Sequence, residues 1–172
     1  TRGYGVDWAR QNHYWDKPFE VNSTGKLIRT ASVNMTAFAL LSAKLLKQIC
    51  DVLEIKHPDV YQSFIDKSEK SLQELSWNDD SGHFHWTVKG SSEQCPYYDL
   101  SGITPLFSAS YNSLAQKEIL IDKLLNIYLT EYGLTTVDQK ADFYRVGYWC
   151  GAVWLPFHWL FWKTLLGQGR LE

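Results

Sequence analysis

The stretch GYWCGAVWLPFHWL, at residues 147–160, decides the fold. From about Val153 to Leu166, apolar side chains occupy nearly every side of a predicted helix, which is typical of a helix enclosed by other helices. Just before that helix, aromatic residues alternate with glycines, and glycines let a ligand approach the backbone closely. Aromatic faces are also surfaces on which sugar rings can stack. The stretch therefore predicts an inner helix whose beginning contacts a carbohydrate.

Two further helices are predicted in the first half of the chain. Apolar residues recur at spacings of three and four from Val33 to Val52, and this pattern must end near His57-Pro58 because proline cannot continue a helix. Pro58 fits the first turn of a second helix, which has one apolar and one charged face. The charged face marks the second helix as an outer one.

Two more helices are predicted between these and the opening stretch. Residues 102–109 are largely uncharged, like a short buried helix that carries a proline in its first turn. Ser113 begins a capping-box pattern, and Gly133 is placed to stop the helix that follows it. Residues 78–90 interrupt the helices with a turn and a short alternating strand at 83–88, which predicts a small hairpin.

Inner and outer helices thus alternate along the chain. This order is expected of helical hairpins in which one helix of each pair faces a central core and its partner faces solvent. The sequence predicts an all-α fold of about five helices with a short β-hairpin excursion.

Composition narrows the possible functions. The chain has 172 residues, 45% of them hydrophobic, which suits one domain with a sizeable core. A net charge of −2 without runs of Lys or Arg disfavours nucleic acid or an anionic membrane as partner, and no apolar run reaches the roughly 18 residues of a membrane span. Three widely spaced cysteines predict neither a disulfide framework nor a zinc site. We expect no metal and no cofactor. The eight Trp and ten Tyr residues fit either a sugar cleft or a large helical core.

Three motifs carry a resemblance to a known family. They are LSWNDDSGHF at 75–84, LSGITPLF at 100–107 and YWCGAVW at 148–154. In this order they resemble the six-hairpin glycosidases, the (α/α)6 barrels that include mannosyl-oligosaccharide glucosidase and mannosylglycerate hydrolase, with trehalases nearby. The resemblance implies that residues 1–172 are a single segment of an (α/α)6 catalytic domain, truncated at both ends.

The resemblance also implies a chemistry. These enzymes hydrolyse α-glucosidic or related bonds with inversion, using a general acid and a general base about 6.5 to 9.5 Å apart. The family's acid is the aspartate that closes a Ser-Gly-x-Asp-like motif, and Gly5-Val6-Asp7-Trp8 stands in that place. Asp7 is therefore the candidate acid, with Tyr4 at the serine position. The family's base is a glutamate beyond the Tyr-Trp motif, which places it outside this chain.

Further residues are implied as substrate contacts. The family's Tyr-Trp-Arg-Gly-Pro appears here as residues 148–152, with Cys150 and Ala152 in place of arginine and proline. The expected sugar-facing residues are Tyr4, Trp8, Arg10, Tyr148, Trp149, Gly151 and Trp154. The implied partners are an oligosaccharide or small glycoside substrate and the remainder of the barrel, supplied by the same protein or by another chain.

Other interpretations remain open from the residues alone. Asp7 could be a surface carboxylate, and Trp154 could simply fill the core. His83, His85 and Cys95 could form a metal site, but only the two histidines are closely spaced, and no carboxylate cluster accompanies them. The whole chain could also be a non-catalytic carbohydrate-binding or assembly module that retains the aromatic cleft.

Overall fold

The structure, a computed structural model, describes residues 30–88, 92–94, 98–141, 144 and 150–170. Helices dominate these ranges. The α-helices are α1 (Val33–Val52), α2 (Asp59–Ser71), α3 (Leu114–Lys123) and α4 (Leu155–Gly167), and Leu100–Leu106 form a 3-10 helix. π-Helical turns extend α2 over Leu72–Ser76 and α3 over Leu124–Tyr128. The five helices of the described ranges agree with the number predicted from the sequence.

Six two-residue strands connect the helices in the described ranges. They are β1 (Thr30–Ala31), β2 (Trp77–Asn78), β3 (His83–Phe84), β4 (Thr87–Val88), β5 (Leu129–Thr130) and β6 (Gly133–Leu134). The pairs β1–β4, β2–β3 and β5–β6 are all antiparallel. The predicted hairpin is present as β2–β3, but the single strand predicted at 83–88 is wrong. The backbone N–H of His85 continues the β2–β3 register by donating to the Ser76 carbonyl at 2.7 Å. After His85 the chain leaves this hairpin, and Thr87 and Val88 pair with β1.

The prediction for α3 is correct at its start and wrong at its end. Ser113 caps the helix by accepting a hydrogen bond from the Gln116 N–H at 3.1 Å. The helical segment ends at Tyr128, and Gly133 lies in the β5–β6 hairpin rather than at a helix end. Its φ of +121° is a conformation that glycine adopts without strain, and the hairpin requires it there.

The 3-10 helix and α4 begin at other residues than expected. The helix predicted at 102–109 is a 3-10 helix that begins at Leu100, because the Asp99 side chain accepts from the Ser101 N–H at 2.9 Å and caps it there. α4 begins at Leu155, two residues later than predicted, with Pro156 in its first turn.

The core lies where α1, the 3-10 helix, α3 and α4 meet. α1 packs against α2 and the 3-10 helix, and the Phe107 and Phe161 rings join the 3-10 helix to α4 at a centroid distance of 4.5 Å. On α4 only Phe157 and Phe161 are buried, whereas Trp159 and Trp162 remain 59% and 56% exposed. The core is therefore closed on one side of α4 and open on the other. In the described part of the chain, no helix combines the length and hydropathy needed to cross a membrane.

Candidate active site

The beginnings of α1 and the 3-10 helix lie at the same end of the domain. β1, which leads into α1, pairs with β4 through Thr30 and Val88. Beside β4, the indole N–H of Trp86 donates to the Ser101 hydroxyl at 2.6 Å, in the first turn of the 3-10 helix. Backbone pairing and this hydrogen bond thus hold the two helix beginnings together.

The beginning of α4 reaches the same end through Thr136. The Leu100 N–H donates to the Thr136 carbonyl at 2.8 Å, and the Gly151 N–H donates to the Thr136 hydroxyl at 2.9 Å. Thr135 also forms an antiparallel bridge with Val153. We call this end of the domain, where α1, the 3-10 helix and α4 begin around β4 and residues 135–137, the mouth. Three helix beginnings direct the positive ends of their dipoles towards it.

Two of the predicted sugar-facing residues are described, and both lie at the mouth. Gly151 is buried and has a φ of +146°, which favours glycine. Trp154 is the N-cap residue of α4 and packs partly buried against the core. The other predicted site residues lie outside the described residues: Tyr4, Asp7, Trp8, Arg10, Tyr148 and Trp149.

Asp99 is a residue of the mouth that the sequence reasoning missed. Its carboxylate accepts hydrogen bonds from both the N–H and the hydroxyl of Ser101, and that hydroxyl accepts from Trp86. Burial of the carboxyl raises the pKa of Asp99 to about 6. Asp99 thus links the cap of the 3-10 helix to the segment around β4. The sequence signal was Asp-x-Ser before a helix, which is typical of a cap.

His83 and His85 belong to a buried hydrogen-bonded cluster. His83 Nε2 lies 3.1 Å from the Tyr128 hydroxyl, and His85 Nε2 lies 2.9 Å from the Ser81 hydroxyl. Burial, with the nearby charges of His85 and Lys123, lowers the pKa of His83 to about 3, so its ring is neutral at ordinary pH. Within the described ranges, no three His, Cys, Asp or Glu side chains are grouped as a metal ion would require.

A cleft of about 540 Å³ adjoins this cluster. One wall is formed by the turn between β2 and β3 together with Tyr98, and the other by the end of α3 and residues 138–141. Tyr98 is 45% exposed, and its ring meets those of His83 and His85 edge to face at centroid distances of 5.5 and 5.2 Å. We call this space the Tyr98 cleft. Its volume falls within the range of about 300 to 1,000 Å³ that is usual for ligand sites.

The same fold occurs in solved glycosidase structures. The GH63 mannosylglycerate hydrolase from Thermus thermophilus, in complex with glucose, is similar with a TM-score of 0.74 and 20% identity over 96% of this chain and 39% of its own. The neutral trehalase from Saccharomyces cerevisiae is similar with a TM-score of 0.64 and 16% identity over 83% of this chain and 29% of its own. The helices described above are therefore part of an (α/α)6 toroid of the six-hairpin class.

The family follows from the sequence match. The family described as "Mannosylglycerate hydrolase MGH1-like glycoside hydrolase domain" matches residues 3–172, so the chain belongs to it. A search of curated proteins finds no significant match. In the structure of the Thermus thermophilus hydrolase with Tris, the chain spans 34%, or about a third, of the enzyme's length.

Proposed function

We propose that this chain is part of the catalytic domain of an inverting glycosidase that hydrolyses α-glucosidic or related bonds. The convergence of three inner-helix beginnings at the mouth, around Gly151 and Trp154, carries the proposal. Membership of a glycoside hydrolase family supports the same chemistry. Several loops and helix ends that meet at one face can hold a substrate from several sides.

Asp7 acts in this proposal as the general acid. It precedes β1 in the sequence, and β1 enters the mouth through its pairing with β4. The acid protonates the leaving oxygen while a glutamate outside residues 1–172 activates water on the opposite face of the sugar. The two carboxyl groups would lie about 6.5 to 9.5 Å apart, which leaves room for that water.

The proposed substrate contacts surround the same face. Gly151 lets the sugar approach the backbone, and Trp154 with Tyr4, Trp8, Tyr148 and Trp149 supplies aromatic surface, while Arg10 supplies hydrogen-bond donors. Cys150 occupies the arginine position of the related motif and is buried, 1% exposed. A buried thiol offers no cation to a ligand, so we infer a substrate that is neutral at this position.

The remainder of the toroid is the proposed partner. Trp159 and Trp162 on α4 and Ile49 on α1 are each more than half exposed. Large exposed apolar patches on a domain usually mark an interface. We propose that residues 1–172 form one segment of the toroid and that its other hairpins, in the same protein or in another chain, cover these faces.

Asp7→Asn in the complete polypeptide that carries this chain tests the proposed acid. Loss of a general acid typically lowers turnover by about 10² to 10⁴. Asp51→Asn is the control, since Asp51 is exposed in the last turn of α1, at the opposite end of that helix from the mouth. Unchanged turnover of α-glucosides by Asp7→Asn would remove Asp7 from the mechanism.

Inversion has its own test. Proton NMR during the first minutes of hydrolysis identifies the anomer released, and an α-linked substrate should give the β-sugar first. Initial release of the α-sugar would overturn the inverting mechanism. Sugar binding without any hydrolysis by the wild-type polypeptide would support a non-catalytic carbohydrate-binding module instead.

A further inference from the structure

We propose that the Tyr98 cleft is a second sugar subsite, which binds a neutral sugar unit of the substrate beyond the bond that is cleaved. The proposal rests on the proposed glycosidase function and narrows its substrate to an oligosaccharide. It is carried by the aromatic wall of the cleft, the charges on its rim and its continuity with the mouth.

The aromatic wall is rigid and partly uncovered. The Tyr98 ring is held edge to face by His83 and His85, and each histidine is fixed in turn by a hydrogen bond, to Tyr128 and Ser81 respectively. Nearly half of Tyr98 nevertheless remains exposed, and it lines the cleft. A ring that is already immobilised loses little conformational entropy when a ligand stacks on it. The His83 ring behind Tyr98 is neutral, so on that side the aromatic wall is backed by an uncharged group.

The rim selects for a neutral polar ligand. Lys123 and Lys140 line the cleft together with Asp80 and Asp138, so the formal charges of the four side chains cancel. None of the salt bridges found among the described residues joins any of these four. The ammonium groups can donate hydrogen bonds and the carboxylates can accept them, which suits hydroxyl groups. An anionic ligand would gain from the lysines and lose to the carboxylates by a similar amount.

Both walls of the cleft continue into the mouth. Tyr98 directly precedes Asp99, which caps the 3-10 helix, and Leu100 is hydrogen-bonded to Thr136. Asp138, on the facing wall, follows Thr136 by two positions. A substrate with one sugar at the mouth can therefore extend its next units between these two segments. This continuity favours a longer sugar chain over a small glycoside.

The test compares ligand lengths in the complete polypeptide. Thio-linked α-glucose and α-mannose oligomers of two to four units are suitable probes, because sulfur-bridged glycosidic bonds resist hydrolysis, and the free monosaccharides serve as the short ligands. Tyr98→Ala should weaken binding of the longest bound oligomer about tenfold, as measured by titration calorimetry, and leave monosaccharide binding unchanged. Tyr98→Phe keeps the ring and should bind like the wild type.

Matched variants make the outcome decisive. Tyr61→Ala removes another partly exposed tyrosine, on α2 and outside the lining of the Tyr98 cleft, and should change neither affinity. Lys123→Ala, from the facing wall, should weaken oligomer binding less than Tyr98→Ala does, and it should leave monosaccharide binding unchanged. The proposal is overturned if Tyr98→Ala binds every oligomer as tightly as the wild type does. It is also overturned if the wild type binds no oligomer more tightly than a monosaccharide. Failure of the proposed acid chemistry is measured separately by Asp7→Asn, because binding of thio-linked sugars involves no hydrolysis.

Discussion

Gly102→Ala should destabilise the protein because the first turn of the 3-10 helix has no space for a methyl group. A Cβ at Gly102 would lie 1.9 Å from Cε1 of His83 and 2.3 Å from the Phe84 carbonyl oxygen. The His83 ring is buried and hydrogen-bonded to Tyr128, so it cannot turn away freely. The carbonyl belongs to the backbone of β3 and can move only with the hairpin.

The expected loss is about 3 kcal/mol in the free energy of unfolding. Overpacking of a well-packed core costs about 1 to 3 kcal/mol, and a clash with both a ring and a backbone atom belongs at the upper end. Loss of the hydrogen bond between His83 and Tyr128 would add about 1 kcal/mol. Replacing glycine by alanine in a helix returns roughly 0.5 to 1 kcal/mol.

Urea denaturation followed by circular dichroism measures this loss. Gly167→Ala is the matched control, because Gly167 ends α4 and a Cβ there meets no atom within 4 Å. It should be as stable as the wild type or more stable by up to about 1 kcal/mol. A Gly102→Ala variant as stable as Gly167→Ala would refute the close packing of His83 against the 3-10 helix.

Four further outcomes follow from individual contacts. Burial raises the pKa of Asp99 from 3.8 to about 6, so the folded state binds the carboxyl proton more tightly than the unfolded state does. The stabilisation from this protonated carboxyl is present below about pH 4 and is lost as the pH rises through about 6, and urea unfolding of Asp99→Asn should lack that part of the pH dependence. Burial lowers the pKa of His83 from 6.5 to about 3, so its ring NMR signals should stay constant from pH 8 to 5, and a midpoint near 6.5 would contradict its burial. Ser113→Ala should cost about 1 kcal/mol in unfolding free energy through loss of the α3 cap, whereas Ser71→Ala, whose side chain caps nothing, should not. Trp159→Glu should lower the melting temperature of the complete polypeptide if other hairpins cover α4, and Ser63→Glu, at an exposed position of α2, adds the same charge and serves as its control.

Local signals in the sequence, such as the spacing of apolar residues and the capping residues at a helix start, predicted where α1 and α3 begin. α1 begins at Val33 as its apolar spacing indicated, and Ser113 caps α3 as the capping box indicated. The strand at 83–88 was less predictable because five of its six residues are buried, so no alternation of buried and exposed residues marks the break after His85. That break depends on β1, a partner that precedes it by a whole helical hairpin.

The candidate site was predictable only in its motif residues. The aromatic and glycine pattern indicated Gly151 and Trp154 before their position at the mouth was known. Asp99 and Tyr98 lie in a segment that reads as an ordinary polar loop. Their importance arises from tertiary contacts with residues that lie elsewhere in the sequence. His85 contacts the Tyr98 ring, while Trp86 and Thr136 are hydrogen-bonded to Ser101 and Leu100, next to Asp99.

The dependence of turnover on the leaving group in Asp7→Asn tests the central claim most directly. A general acid matters most when the leaving group is a poor one, such as the hydroxyl oxygen of a second sugar, which is unstable as an anion. It matters least when the leaving group is an activated phenol, which is stable as an anion. The measurement is kcat/KM of wild type and variant on an α-linked disaccharide and on 2,4-dinitrophenyl α-glucoside. We predict a loss of about 10² to 10⁴ on the disaccharide and a much smaller loss on the phenyl glycoside. Equal losses on both substrates, or none on either, would contradict the role of Asp7 as the acid at this mouth.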